Sequence, residues 1–248
     1  YIAERHARHI LAHHGAELKS AFDIHSRKTE KFCSEFKIIP HGNFQDFLAD
    51  KNIDIINICT PNGTHHQLAI DALNAGKHVL VEKPMALTGQ DCGKMIEAAY
   101  INKRELFVVK QNRFNPPVQE LKKLIDQKKL GKIYMVTVNC FWNMNDDYYK
   151  NSDWKGKKDL DGGALFTQFS HFIDIFYYLF GDIRNINGII ANEGHKNLIE
   201  FEDSGCFSFQ FNSGALGSIC FTTASFKQNM EGSITLFAEN ATIKIGGK

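Results

Sequence analysis

Between residues 17 and 110 the chain alternates short apolar runs with helix-forming stretches, punctuated by Gly and Pro, and this alternation constrains the fold most. Glu17 to Ile24, Lys37 to Ile39, Ile53 to Cys59, His78 to Val81 and Leu106 to Lys110 read as strands. Helices are expected from Tyr1 to His14, around residues 26 to 35, and from an Asn43 cap to about Asp50. Two more are expected from Thr64 to Ala75 and from a Thr88 cap to about Asn102. Such alternation builds a parallel sheet wound on both faces. The run Val79-Leu80-Val81 reads as a strand buried on both faces, yet it delivers Glu82, Lys83 and Pro84 to its carboxyl end.

After Gln111 to Pro116 the pattern changes. Pro116-Pro117 opens a helix to about Gln127, and Gly131 to Phe141 reads as a long strand. A polar, aromatic loop from Asn143 to Asp159 leads to one apolar helix, Gly163 to Phe180, stopped by Gly181. Strands are expected near 183–191, 197–202, 205–211, 215–223, 231–237 and 241–245. In the third of these, Phe207, Phe209 and Phe211 alternate with Ser208 and Gln210, as in an antiparallel strand with one buried face. The expected division is therefore residues 1–112 and 113–248.

A formal net charge of +1 leaves no electrostatic footprint for nucleic acid or an acidic membrane. No apolar run is long enough to cross a bilayer. The six cysteines include no C-x-x-C and sit mostly in apolar contexts, which points to a reducing cytoplasm. His6, His9 and His13 share a helical face, but no carboxylate or cysteine completes a set, so no metal is assigned.

In open parallel sheets, ligands bind beyond the carboxyl ends of the strands. The stretch "DIINICTPNGTHH" (54–66) ends its strand in Thr60-Pro61-Asn62, with Thr64 as helix cap, and helix-start amides suit a dinucleotide. "VEKP" and "VVKQNRF" (108–114) are two further strand ends. Asp23 closes an earlier strand, where a carboxylate would bind a ribose hydroxyl pair and disfavour a 2′-phosphate. Each alone also reads as an ordinary turn. No Gly-x-Gly-x-x-Gly occurs, and a doubly wound fold needs a central first strand, so the chain is expected to be a fragment or to start upstream of Tyr1.

The stretch 161–181 is the other candidate. Asp161 before Gly162-Gly163 can cap the helix, and Thr167, His171 and Asp174 follow i, i+4, i+7 on one face. The plain alternative for His171 is a hydrogen-bonded core histidine. Trp142, Tyr148, Tyr149 and Trp154 either pack or form a lid over a sugar-like ligand. Arg113 and Lys155 are surface cations unless they line a polar cleft, where they suit an anionic ligand.

"CTPNGTHHQLAIDALNAGKHVLVEKPMALT" followed by "GGALFTQFSHFID" resembles the Gfo/Idh/MocA family of NAD(P)-dependent sugar oxidoreductases over essentially the whole chain. The resemblance implies an α/β Rossmann-type domain lacking its first strand and glycine loop, then an α+β domain with a largely antiparallel open sheet that often mediates oligomerisation. It implies that Ile2 follows the family's last glycine, that Lys83 of Glu-Lys-Pro sits between nicotinamide and the reacting sugar carbon, and that the motif histidine is His171. Many members carry Asp four residues before that histidine, where this chain has Thr167, with Gln168 beside it. "KQNRFNPPV" and "WKGKKDLDGGAL" resemble the branch of UDP-N-acetylglucosaminuronate 3-dehydrogenases of surface-polysaccharide synthesis.

The expected reaction is hydride transfer between nicotinamide and a sugar ring carbon. Lys83 and His171 are the catalytic candidates, with their roles as proton acceptor and oxygen partner left open. Ile2, Asp23, Thr60, Asn62, His65, Glu82, Lys83 and Gln111 are expected at the cofactor, NAD rather than NADP. Lys83, Arg113, Trp154, Lys155, Thr167, Gln168 and His171 are expected at a sugar or nucleotide-sugar substrate, in a homo-oligomer (dimer or tetramer). The alternatives are an inositol or aldose dehydrogenase, a sugar reductase or NAD-dependent glycosidase of the same family, and an inactive truncated dinucleotide-binding remnant.

Overall fold

In the computed structural model, which describes residues 2–247, the chain separates after Val109 into two units. In the first, α1 (Ile2–Ala12), β1 (Ser20–Ala21), α2 (Ser26–Phe36), β2 (Ile39–Pro40) and α3 (Phe44–Ala49) precede β3 (Ile55–Ile58). Then come α4 (His65–Asn74), β4 (His78–Val81), α5 (Gly89–Asn102) and β5 (Leu106–Val108). The strands are parallel and fall into two separate ladders, β1-β2 and β3-β4-β5.

Local chemistry starts two of these helices as expected. The side chains of Asn43 and Thr88 accept the Asp46 and Asp91 amides, each satisfying an otherwise orphaned donor. Val79, Val81, Ala69, Leu73 and Met95 are fully buried between β4 and the helices α4 and α5. The other face of β4 is only half-buried at His78 and Leu80, so the strand is not enclosed on both sides as its composition suggested. Glu17 to Ile24 contributes only the two-residue β1, because pairing with β2 extends no further than Ser20↔Ile39 and Ala21↔Pro40.

The second unit holds α6 (Pro116–Asp126), β6 (Ile133–Phe141), α7 (Asp146–Lys150), α8 (Ala164–Thr167) and α9 (Ser170–Phe180). They are followed by β7 (Ile183–Ala191), β8 (Ser204–Phe211), β9 (Leu216–Thr222), β10 (Glu231–Ala238) and β11 (Thr242–Gly247). One six-stranded sheet runs β11-β10-β6-β9-β8-β7, antiparallel except for the β6/β9 pair. The alternation in β8 places Phe209 and Phe211 in a core with Val136, Val138, Ile219, Phe221, Ile234 and Leu236, packed against α6 and α9. At the sheet edge β7 is exposed along its whole length.

Three expectations need correction here. The helix expected from Gly163 to Phe180 is two, broken at Gln168-Phe169, because the Phe169 amide reaches back five residues to the Ala164 carbonyl that Gln168 already uses, and a new turn starts from the Phe169 carbonyl. Residues 197–202 form no strand: the Leu198 and Ile199 amides donate to the His195 carbonyl, and the Glu200 amide to Gly156, which closes a turn instead of a ladder. The loop 143–159 contains the short helix α7, capped by Asn145. Among the described residues, no helix is long and apolar enough to cross a membrane.

Candidate active site

The carboxyl ends of β3 and β4 are tied together by one side chain. After Ile58 the chain turns through Cys59, Thr60 and Pro61 into a short 3-10 turn, Asn62–Thr64, that runs into α4. Thr64 does not cap α4 with its side chain as expected. Its hydroxyl instead donates to the Pro61 carbonyl and meets Thr60 Oγ1, each at 2.7 Å, tightening the turn itself. His65, fully buried, sets Nδ1 2.7 Å from the Pro84 carbonyl and Nε2 3.0 Å from the Thr60 carbonyl. A side chain so enclosed presents no surface to a dinucleotide; it braces Thr60 and Pro84 instead of touching a ligand. Burial pushes its pKa below the ordinary histidine value, against the pull of the Pro84 and Thr60 carbonyls.

At the end of β4, the Glu82 amide still bonds the Ile58 carbonyl of β3, so Glu82 is held in ladder register. Its carboxylate is buried and used on both sides. Oε1 lies 3.0 Å from His6 Nε2 on α1, and Oε2 accepts the Lys83 amide at 3.0 Å. The Lys83–Pro84 peptide is cis. His6 is raised to about 10, first by a hydrogen bond with Cys59 and then by Glu82, against the cost of burial. For Glu82, burial favours the neutral acid, but the hydrogen bonds from His6 and the Lys83 amide outweigh it and hold the carboxyl below its usual range. Sequence reasoning grouped His6 with His9 and His13; among the described residues no three metal-ligating side chains gather to hold an ion.

Asp23, half-buried just beyond β1, accepts the His25 amide at 2.9 Å, while its own amide donates to Thr29 on α2 at 2.9 Å. Ile2 is half-buried in the first turn of α1, Thr60 is exposed and Asn62 is buried. Gln111, exposed in the 3-10 turn Gln111–Phe114, falls in the second unit.

In the second unit the expected Thr167/His171/Asp174 face is dismantled. Thr167 lies on α8 with its hydroxyl donating to the Asp161 carbonyl at 2.9 Å and contacting the Asp161 carboxylate. Asp161 is not a helix cap: it is 1% exposed, and Oδ2 accepts the Gly156 amide at 2.8 Å. Gly163 takes the position before α8 at φ 130, a conformation costly for other residues, and a Cβ there would meet Glu202 Oε1 at 3.2 Å. Asp174 is claimed by Arg113, whose Nε and Nη2 each donate at 2.7 Å, with Lys110 Nζ 3.6 Å away. Arg113 also lies over the Tyr178 ring at 5.1 Å, so its charge is largely matched within the unit instead of being held for an anion. His171 stands half-buried in the first turn of α9.

Gln168 Nε2 donates to Tyr148 Oη at 2.6 Å, and Lys155 Nζ sits 3.6 Å from the centre of the Tyr148 ring. Burial pushes Lys155 below its ordinary value, partly countered by Asp161. Trp154 is half-buried beside it, its amide donating to Ser152 Oγ at 3.4 Å. These three expected residues, Trp154, Lys155 and Gln168, thus belong to one neighbourhood. Sequence reasoning missed a second buried pair, His195 and Asp203. Asp203 Oδ2 accepts the Gly194 amide at 2.6 Å and lies 3.2 Å from His195 Nδ1, and His195 Nε2 faces the Met144 carbonyl at 2.9 Å. No spacing marks them, because they meet only through the turn that replaces the expected strand at 197–202.

Comparison with known proteins matches residues 1–111 to the oxidoreductase family with an NAD-binding Rossmann fold, and residues 118–244 to the GFO/IDH/MocA C-terminal domain. The chain superposes on the WlbA dehydrogenase of Bordetella pertussis, solved in complex with NADH and UDP-GlcNAcA, with a TM-score of 0.95 and 38% identity. That match covers 99% of this chain and 71% of WlbA. Levoglucosan dehydrogenase of Pseudarthrobacter phenanthrenivorans is 27% identical over 76% of this chain and 54% of its own length. Inositol 2-dehydrogenase of Salmonella typhimurium is 27% identical over 68% of this chain and 48% of its own length. The chain spans about half the length of these two curated relatives.

Proposed function

The chain belongs to the GFO/IDH/MocA oxidoreductase family, and from that premise we propose that it serves an NAD-dependent oxidation of a sugar alcohol, with a UDP-N-acetylamino sugar acid oxidised at C3 as substrate. The observation that carries the reading is the end of β4, where Glu82, held in ladder register and hydrogen-bonded on both oxygens, fixes the backbone of Lys83. The choice of sugar rests on the likeness to WlbA, 38% identical over 99% of the chain. Thr167 supports it against an inositol-type site, since its hydroxyl is committed to Asp161 and no carboxylate stands at that position.

Bound NAD would supply the two-electron acceptor. The polar groups at the strand ends suit it: a carboxylate at Asp23 for ribose hydroxyls, and Thr60 and Asn62 beside the dinucleotide. Ile2, Glu82, Lys83 and Gln111 complete the proposed cofactor residues, and His65 supports them from beneath. Lys83 is proposed for the proton chemistry at the reacting hydroxyl, and His171 is the second proposed catalytic residue, with the roles of proton acceptor and oxygen partner open between them. Lys155, Trp154 and Gln168 are proposed to meet the acid and sugar, with Arg113 as a lesser contributor because Asp174 already engages it. The proposed setting is surface-polysaccharide precursor synthesis in the cytoplasm, by a homo-oligomer. Its support is an exposed sheet edge carrying Ile183, Ile186, Ile189 and Ile190.

The test is NAD reduction by the protein supplied with UDP-GlcNAcA, levoglucosan and inositol in parallel. Turnover with the nucleotide sugar alone supports the assignment. Turnover confined to either of the other two overturns the substrate choice.

A further inference from the structure

His6 sits on α1, far along the chain from the strand end that carries Lys83, and in sequence it is only one of a row of histidines. In the fold it faces the Cys59 thiol and the Asn57 amide from β3, with Asn57 Nδ2 3.4 Å from its Nδ1. From the end of β4 it faces Glu82, 3.0 Å from its Nε2. Glu82 in turn takes the Lys83 amide at 3.0 Å. We propose that His6 is a positioning residue for Lys83: it pins one oxygen of Glu82 so that the other holds the Lys83 backbone in place. This rests on the assignment of Lys83 above, and it adds a residue to that site.

Three features favour a positioning role over an incidental contact. His6 and Glu82 side chains are only 14% and 11% exposed, so the pair is shielded from competing water. Glu82 divides its two oxygens between His6 and the Lys83 amide, so releasing one partner frees the carboxylate to rotate away from the other. Finally, His6 is raised to about 10 and Glu82 is lowered, so both carry charge throughout the neutral range. The ion pair loses its charge when pH rises through about 10 and His6 gives up a proton, or when pH falls far enough to protonate Glu82.

Two measurements test this. In the wild-type chain, NMR titration should show the His6 ring losing its proton near pH 10 and the Lys83 amide shifting with the same midpoint. Glu82→Gln should abolish the Lys83 shift. A His6 titration near the ordinary value of about 6.5 overturns the proposal, and so does a Lys83 amide that ignores His6. In turnover, His6→Gln should lower kcat by about a hundredfold, as for a misplaced reacting group. The KM for NAD and sugar should stay within about twofold, and His6→Lys should recover part of the loss. An unchanged kcat in His6→Gln overturns the proposal. If the wild type turns over none of the sugars, the functional assignment fails, while the NMR titration still decides whether His6 positions Lys83.

Discussion

Replacing His65 by Leu isolates the brace beneath the two strand ends. The ring is fully buried, so Leu fills most of its space, and the main loss is polar. Carbonyl oxygens only accept, and a neutral imidazole has one N–H, so at neutral pH one of the two contacts is a full hydrogen bond. The shorter, 2.7 Å to the Pro84 carbonyl, is the stronger candidate. Orphaning that carbonyl costs about 1–3 kcal/mol, and the 3.0 Å contact to Thr60 adds little while it lacks a proton. The expected loss is therefore about 2 kcal/mol, a large share of the 5–15 kcal/mol typical of a folded domain. Urea unfolding followed by circular dichroism reads it as a shifted midpoint at unchanged slope. The pH dependence adds a second check. Burial holds the folded pKa below the unfolded value near 6.5, so the neutral ring favours the folded state above that pH. That stability is lost as pH falls from about 6.5 through the folded value, and His65→Leu should remove this part of the acid slope. A loss under about 0.5 kcal/mol, or an unaltered acid slope, refutes the role given to His65.

Phe211→Ala should cost about 3–5 kcal/mol. The ring is fully buried and meets Phe209 and Phe180 at 5.4 Å and Phe176 at 5.8 Å, which thermal unfolding would register. Thr167→Asp sets a second carboxyl against the buried Asp161, raising the pKa of one of the two. The variant should therefore lose stability as pH rises above about 4, in a urea titration across pH; stability that stays flat with pH contradicts the contact. Gly163→Ala forces a side chain into φ 130 against Glu202, and should destabilise α8 by more than 1 kcal/mol on the same assay.

Much of the fold was legible because its signals are local. His78 to Val81 is the strand its composition announced, and Asn43 and Thr88 cap their helices through side chains only three residues from their partners. The alternation in β8 likewise showed which face it buries. The failures arise from hydrogen bonding that composition does not show. The 161–181 stretch has the composition of one helix, yet the Phe169 amide reaches back to the Ala164 carbonyl that Gln168 already uses, which ends one helix and starts the next. Asp174 is equally placed on its helix to face His171, yet Arg113, 61 residues away, takes it. Leu198, Ile199 and Phe201 look like a strand, but hydrogen bonds to His195 and Gly156 close the segment into a turn. His6 shows the same limit in the candidate site: its helical face is visible in sequence, while the partner that gives it meaning lies 76 residues further on.

The central claim is that Lys83, at the end of β4, carries the chemistry of an NAD-linked sugar oxidation. The most direct measurement is NADH formation with UDP-GlcNAcA, compared between the protein and its Lys83→Ala variant, alongside NAD binding by each. Turnover should disappear in the variant while NAD affinity stays within a few-fold. Turnover that survives the loss of Lys83 would contradict the claim.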